Sequence, residues 1–510
     1  MQAKKSLLLA AAFLGVAFAF LWPALENRGP FYTPDTRTYI RTADTAMHKL
    51  TGIATVWTAS DAPAPASGSE PAAAPNADLA LHNLGEARTR SLAEISKKGI
   101  LLGRSPYYGM LLYTGVADGV FLLPMLVQAL LVLLAAGLLL RALGIRIWPH
   151  LAWVGLALCV TSTAPFFCCL LMPDLAAGLA VLACAVLLVA GGRLPRAEHL
   201  AWYLLLSFAL LCHDSCLLIV FSMLALSVAA NLIAYLRKRG PAWSNLRGLA
   251  VILLALATAY VGQSLAAYGA GKVAGHPALR LPYLSARLID DGPGSSYLHA
   301  HCPQSGFALC AYVDEFPLTA SEFLFSTQPG HTVFELAPYE TRRAISQEQV
   351  RFLLAVVRYD PWGVIKAAAR NSLMQLFDFK LSEYFKYKQA TNDMFRRTYP
   401  LPVTQQIEAS AAYRGVIPTA LYSAIIYIFV VAALGWCAFA LRGHEPTRSA
   451  LRSILLWICA GILINAFVCG ALSAPTSRYG ARVVWLLPLV AIVSLVERRQ
   501  RKRAGGEANA

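Results

Sequence analysis

The sequence predicts an all-α polytopic membrane protein with about ten transmembrane helices and two long periplasmic loops, the second forming a small domain. The 510-residue chain is 57% hydrophobic and only 14% charged, which is too apolar for a soluble protein of this length. Its apolar residues occur in runs of about 20, the length of a helix that crosses a bilayer. Clusters of Lys and Arg stand at alternate ends of these runs, as is typical of cytoplasmic loops.

Ten apolar runs are predicted to be spans. They cover residues 6–22, 119–141, 149–168, 170–191, 199–214, 215–236, 247–268, 416–441, 451–472 and 479–496. The polar stretch Cys212-His213-Asp214-Ser215 separates the fifth span from the sixth, because lipid does not solvate such groups. The first run is either a retained span or a cleaved signal peptide. We favour retention, because Leu21-Trp22-Pro23 offers no cleavage site of small residues.

Positive charge predicts the orientation of the spans. Six clusters fall on one side of a ten-span topology: Lys4, Lys5; Arg141, Arg146; Arg193, Arg196; Arg237, Lys238, Arg239, Arg247; Arg442, Arg448, Arg452; and Arg498, Arg499, Arg501, Lys502, Arg503. Because such loops stay in the cytoplasm, we predict a bacterial inner-membrane protein with both termini cytoplasmic. The net charge of +16 then reflects topology and attraction to lipid headgroups, and no nucleic-acid partner is expected.

The spans and loops divide the chain into four predicted regions. Residues 1–268 form an N-terminal membrane module of seven spans, and residues 416–496 form a C-terminal module of three. Residues 269–415 form a periplasmic loop domain, and residues 497–510 a basic cytoplasmic tail. The first periplasmic loop, 23–106, carries an insert at 59–78 that is rich in Ala, Pro and Ser and is predicted to be disordered.

Two features of the loop domain leave alternatives open. Its two cysteines, Cys302 and Cys310, either form a disulfide in an oxidising compartment or remain thiols. A helix is predicted at about 361–378, with Asp360 as its cap and Pro361 in its first turn. The apolar face of this helix consists of Trp362, Ile365, Ala369, Leu373 and Leu376. That face either packs on the loop domain or lies on the outer leaflet of the bilayer.

Two acidic residues at the outer ends of spans are candidate catalytic residues. Asp35 follows the first span, and Asp174 lies in a very short turn between the third and fourth spans. A carboxylate can take a proton from a hydroxyl group or bind a metal ion. Each residue can instead be a helix cap or turn residue, although an acid as close to hydrocarbon as Asp174 needs a partner.

Polar residues at the same boundary are candidate substrate-binding residues. They are Arg37, Tyr39, Arg104, Tyr107, His213, Asp214, Arg478 and Tyr479. Arg104 either binds a phosphate or anchors the chain in the interface. The pair His213-Asp214 is a base, a metal ligand or a hydrogen-bonded turn. Arg478 and Arg482 lie on the side where positive charge is disfavoured, so they bind an anion or pair with Asp35 or Asp174.

These motifs resemble the GT-C superfamily of membrane glycosyltransferases, especially the protein O-mannosyltransferase and aminoarabinose transferase branch. The resemblance rests on Asp35 in Pro34-Asp35-Thr36-Arg37-Thr38-Tyr39, on Ser105-Pro106-Tyr107-Tyr108-Gly109, on Asp174 and on Arg478-Tyr479. It implies a polyprenyl-phosphate sugar donor, with Asp35 as the base and Asp174 as a second acid in the site. The chain departs from the family in its Pro/Ala insert and in a large domain before the last three spans.

The predicted function is therefore transfer of a sugar from a polyprenyl-phosphate donor to a lipid, glycan or protein acceptor at the periplasmic face. The partners would be the lipid bilayer, the donor and the acceptor. A divalent metal is the one cofactor considered. No metal ligand is assigned, because no acid pair of the metal-dependent type stands near Asp35. The alternative is a non-enzymatic lipid or polysaccharide export component or an assembly scaffold. A secondary transporter is disfavoured, because the spans carry almost no charge in their middle.

Overall fold

The protein is an all-α membrane protein, as predicted. The computed structural model describes residues 2–59, 100–117, 119–148, 150–237, 245–328, 330–381, 384–442 and 446–507. It is 75% helical with almost no sheet. Six of the described helices are long and apolar enough to cross a membrane. The predicted insert at 59–78 lies outside the described residues, except for Ala59.

The elements are numbered in chain order over the described residues. The first half contains α1 (Gln2–Ala19), α2 (Trp22–Asn27), α3 (Thr36–Thr51), α4 (Val56–Ala59), β1 (Leu101–Leu102), α5 (Pro106–Tyr113), α6 (Leu122–Ala142), α7 (His150–Thr161), α8 (Ala164–Cys169), α9 (Leu175–Ala190), α10 (Arg196–Cys212), α11 (Asp214–Leu236) and α12 (Leu246–Ala274). The second half contains β2 (Leu279–Arg280), α13 (Tyr283–Asp290), α14 (Pro293–His301), a 3₁₀ helix (Ala308–Glu315), α15 (Ala320–Phe325), α16 (Tyr339–Tyr359), α17 (Pro361–Phe377), α18 (Gln389–Thr398), α19 (Leu401–Glu408), α20 (Thr419–Ala440), α21 (Pro446–Leu472), α22 (Ser477–Val484) and α23 (Leu486–Glu507).

Each of the ten predicted spans falls on one or two of these helices. The helices that are long and apolar enough to cross a membrane are α6, α11, α12, α20, α21 and the segment Ser477–Arg501. Helices α7 and α9 are apolar but shorter. The third predicted span is broken, because α7 ends at Thr161 and α8 begins at Ala164 with Pro165 in its first turn. The number of crossings therefore stays a prediction.

Helix α9 lies at the centre of the bundle. All its residues from Leu175 to Leu187 are buried, and it packs against α6, α10, α11, α12, α21 and α22. A helix that is apolar on every side is stable only inside a larger structure. This central position places Asp174, at the start of α9, in the interior of the protein.

The loop between α12 and α20 contributes to two hydrophobic cores. Its first part, between Leu281 and Val356, has a separate core of its own. Its second part, from Phe379 to Ile417, packs into the core of the helical bundle. A disulfide links Cys302 and Cys310, which confirms one of the two alternatives. Asp360 caps α17 by accepting a hydrogen bond from the Gly363 backbone N–H at 2.8 Å, also as predicted.

Candidate functional site

A buried ion cluster lies where α9 and α22 begin. Asp174 is fully buried and lies 3.6 Å from Arg478 (Oδ2 to Nη1) and 3.4 Å from Arg482 (Oδ1 to Nη1). Arg482 is fully buried, and the side chain of Arg478 is only 8% exposed. The prediction that these arginines pair with an acid is confirmed for Asp174. With two guanidinium groups to one carboxylate, the three side chains carry a net charge of +1.

Polar groups from α11, from α21 and from the junction of α10 and α11 hold Arg482 in place. Its Nη2 donates to the Ser215 hydroxyl and to the Asn465 side-chain oxygen, both at 2.9 Å. Its Nη1 lies 3.4 Å from His213 Nε2. The other ring nitrogen of His213 accepts a hydrogen bond from the Ser215 backbone N–H at 3.2 Å. His213 therefore belongs to this cluster, as a neighbour of the arginine at the junction of α10 and α11.

Close packing of α9 and α22 depends on Gly178. A Cβ atom there would lie 2.4 Å from Trp485 Nε1 and 2.9 Å from the Arg482 backbone oxygen. Trp485 has little room to move, because it is fully buried and donates to that same oxygen at 3.0 Å. Only glycine therefore allows Arg482 to approach the N-terminal end of α9.

We expect Gly178→Ala to lower the free energy of unfolding by about 1–3 kcal/mol, because overpacking forces α22 away from α9. Gly435→Ala is a matched control, since Gly435 lies inside α20 and a Cβ there meets nothing within 4 Å. Thermal unfolding in detergent measures both. Equal stability of the two variants would contradict the close approach.

A second ion pair, more open to solvent, stands beside the first. Arg104 donates to Asp35 in an ion pair whose side chains are 22% and 30% exposed, respectively. Asp35 occupies the N-cap position of α3, but its side chain makes no capping hydrogen bond. The carboxylate is therefore engaged by Arg104 and not by the helix it precedes.

The loop domain reaches this second pair through Tyr283. Strands β1 and β2 pair in parallel, Leu101 with Leu279 and Leu102 with Arg280, so the residues that follow both strands run side by side. This pairing brings Arg104 near Tyr283, so that the guanidinium charge acts on the phenol. Burial raises the pKa of the Tyr283 phenol, although Arg104 opposes the shift. The phenol is neutral at neutral pH and can donate a hydrogen bond.

The two ion pairs belong to one cluster, because both lie within electrostatic range of Tyr39. Burial raises the pKa of the Tyr39 phenol far above its usual range, and the charges of Arg104, Asp35, Asp174 and Arg478 all act on it. Asp35 also acts electrostatically on Arg478. Residues that lie far apart in the sequence are thus gathered at one place on the boundary of the helical bundle.

Backbone pairing sets the distance between the two candidate acids. The Phe31 N–H donates to the Cys169 carbonyl, and the Leu171 N–H donates to the Phe31 carbonyl, both at 2.9 Å. The Thr36 hydroxyl donates to the Leu171 carbonyl at 3.0 Å. This short parallel bridge fixes the segment that carries Asp35 against the turn that carries Asp174.

Aromatic residues of the second loop support the same segment. The Tyr399 hydroxyl donates to the Thr33 carbonyl at 2.6 Å and accepts from the Arg37 backbone N–H at 3.0 Å. The Tyr387 hydroxyl accepts from the Tyr32 backbone N–H at 2.8 Å. Both tyrosines are buried, so the position of Asp35 depends on a part of the chain more than 350 residues away.

Several buried polar atoms of the cluster have no hydrogen-bond partner among the described residues. They are Asp174 Oδ2, Arg478 Nε and Nη1, and Arg482 Nε. A buried polar group without a partner costs about 1–3 kcal/mol, and more when it is charged. Together with the excess positive charge, the unsatisfied guanidinium N–H groups would favour an anion with several acceptor oxygens, such as a phosphate.

The described contacts of three predicted substrate-binding residues, Arg37, Tyr107 and Asp214, lie outside the ion pairs of the cluster. Arg37 is buried beside Tyr399. Its positive charge acts on the Tyr399 phenol. The Tyr107 hydroxyl donates to the Gly262 carbonyl at 2.7 Å and so ties α5 to α12. Asp214 is exposed and lies within electrostatic range of Arg104 and Arg280. Tyr479 does belong to the cluster, with its ring 4.9 Å from the Arg478 and 4.8 Å from the Arg482 guanidinium.

Three further residues complete the cluster: Arg482, which the sequence singled out together with Arg478, and two tyrosines that it did not. Arg482 lies one helical turn after Arg478, and this i, i+4 spacing was a signal for it. Tyr384 packs its ring 4.8 Å from the Arg478 guanidinium, and Tyr283 lies within electrostatic range of Arg104. Neither tyrosine has a sequence signal, because both come from the long second loop. Two cavities, of about 450 and 290 Å³, lie beside the loop domain and not at the cluster.

Comparison with protein-family models, with curated proteins and with solved structures finds no match to this chain. Within the part of the chain that the structure describes, no group of three or more His, Cys, Asp or Glu side chains could hold a metal ion. The function must therefore be argued from the ion cluster itself.

Proposed function

We propose that this protein is an integral membrane glycosyltransferase that moves a sugar from a polyprenyl-phosphate donor to a lipid, glycan or protein acceptor. One observation carries the proposal. A buried site with an excess positive charge and unsatisfied guanidinium N–H groups, at Arg478 and Arg482, lies within electrostatic range of the partly exposed carboxylate of Asp35. An anion site beside an accessible base is what phosphate departure and hydroxyl activation together require.

The proposed mechanism is a direct displacement at the anomeric carbon. Asp35 takes the proton of an acceptor hydroxyl while the acceptor oxygen bonds to the anomeric carbon. The bond from that carbon to the phosphate oxygen breaks, and the electron pair leaves with the carrier phosphate. Arg478 compensates the charge that builds up on this phosphate. Asp174 holds Arg478 and Arg482 in position and need not touch the substrate.

The proposed topology has ten crossings, with both termini in the bacterial cytoplasm and the long loops in the periplasm. It rests on the coincidence of every predicted span with one or two helices and on the Lys and Arg clusters at alternate ends. The cluster around Asp35 and Asp174 then faces the periplasm. A donor that is flipped to the outer leaflet could reach it from the bilayer.

The test of the anion site uses undecaprenyl phosphate and the full chain in lipid nanodiscs. We expect this lipid to raise the unfolding temperature of the wild-type protein, because a ligand that binds only the folded state stabilises it. Arg478→Gln should abolish the shift. Arg396→Gln is the matched control, because Arg396 is paired with Glu408 outside the cluster and its loss should leave the shift intact. No shift in the wild type would overturn the proposal.

A further inference from the structure

Helix α17 is amphipathic in an unusual sense, because its apolar face is exposed and its polar face is buried. The side chains of Trp362 and Phe377 are 77% and 67% exposed, and more than half of each of Ile365, Leu373 and Met374 is also exposed. The buried residues of the helix are Ala367, Asn371 and Gln375. In water, this arrangement would leave five large apolar side chains solvated on one short helix.

The buried face of α17 packs along α21 and is fixed by specific polar contacts. Gln375 donates to the Thr476 carbonyl and accepts from the Thr476 N–H, both at 2.9 Å. Asn371 donates to the Asp291 carboxylate at 2.8 Å. Gly470 of α21 allows the approach, since a Cβ there would lie 2.6 Å from the Asn371 carbonyl oxygen. These contacts fix which face of α17 points outward.

We infer that the exposed face of α17 is in contact with the lipid of the bilayer, so that this helix is a membrane-embedded element of the loop. A contiguous apolar patch of this size marks an interaction surface. Its neighbour α21 is one of the helices able to cross the membrane, and α21 also exposes large apolar side chains, Leu463 and Phe467. The apolar face of α17 thus lies on a helix that packs against a candidate membrane span.

The distribution of aromatic and basic residues on α17 fits this position. Trp362 lies in the first turn, and Trp is enriched where hydrocarbon meets headgroups. Lys366 is exposed beside the apolar face, where a long basic side chain reaches lipid phosphates, while Arg370 is exposed and pairs with Asp291 at 3.5 Å. The inference is independent of any sugar-transfer activity.

Spin labels in nanodiscs test the inference. Ile365→Cys and Leu373→Cys, labelled with a nitroxide, should show high collision rates with oxygen and low rates with a water-soluble nickel chelate. Leu463→Cys on α21 serves as the lipid reference, and Glu340→Cys, whose side chain is 78% exposed on the loop domain, serves as the water reference. The unaltered chain is the labelling blank, because its described free cysteines are buried or half-buried.

The inference holds if labels at positions 365 and 373 match the lipid reference. It is overturned if they match the water reference, or if neither reagent reaches them, as when a second protein copy covers the face. Quenching of Trp362 by brominated lipids gives an independent measurement that needs no cysteine. Lipid quenching is measured for the wild-type protein and for Trp362→Phe, and the quenching that the variant loses is due to Trp362. If the two proteins are quenched equally, the inference is also overturned.

Discussion

Replacing Asp174 by Asn is expected to lower the free energy of unfolding by about 3–5 kcal/mol, the usual cost of removing one partner from a buried ion pair. Asp174 is fully buried between Arg478 and Arg482. Asparagine keeps the shape of the side chain but leaves two buried guanidinium groups without a counter-charge. Chemical or thermal unfolding in detergent, monitored by circular dichroism, measures the loss.

A double-mutant cycle separates this effect from general damage to the start of α9. Arg482→Gln retains groups that can hydrogen-bond to Ser215 and Asn465, but it removes one positive charge. The double variant Asp174→Asn/Arg482→Gln should therefore lose less stability than the sum of the single variants, with a coupling energy of about 0.5–3 kcal/mol. Strict additivity would show that Asp174 does not stabilise Arg482.

The buried position of Asp174 changes how loss of activity in its variants should be interpreted. A carboxylate placed between two arginines is needed to assemble the cluster whether or not it contacts substrate. Inactivity of Asp174→Asn alone therefore does not distinguish an enzyme from a scaffold. Asp35, whose pair with Arg104 is partly exposed, is the residue whose substitution distinguishes them.

The long apolar helices and the pairing of Asp174 were predictable because they follow from local physics. Apolar runs of helical length identify most of the helices, and a carboxylate next to hydrocarbon needs a positively charged neighbour. The arginines at positions 478 and 482 stood out, since they oppose the charge rule for the outer face. The sequence thus indicated both partners before the fold was known.

The contacts made by the long loop were not predictable. Tyr283 reaches Arg104 because β1 and β2 pair, and two-residue strands carry no pattern in a sequence. Tyr399 and Tyr387 support the Asp35 segment through backbone hydrogen bonds, which any aromatic side chain with a hydroxyl group could make. The apolar face of α17 was predicted, but its exposure depends on the tertiary packing of Asn371 and Gln375 against α21.

Asp35→Asn should reduce sugar transfer by about 10²–10⁴-fold, the usual contribution of a general base. The same change should lower the free energy of unfolding by less than Asp174→Asn does, because the Asp35–Arg104 pair is partly exposed whereas Asp174 is fully buried. Transfer is measured with a radiolabelled polyprenyl-phosphate sugar in proteoliposomes that contain a membrane extract as the source of acceptor. Binding of undecaprenyl phosphate should be unchanged, since Arg478 remains in place.

Glu408→Gln is the matched control for Asp35→Asn. Glu408 pairs with Arg396 at 2.7 Å and is 31% exposed, so it resembles Asp35 in burial and in partner but lies outside the cluster. Its loss should leave transfer at the wild-type rate. If Asp35→Asn also retains that rate, a hydroxyl acceptor is not activated at this carboxylate. If the wild-type protein binds undecaprenyl phosphate but transfers nothing, the export or scaffold alternative explains the cluster better than catalysis does.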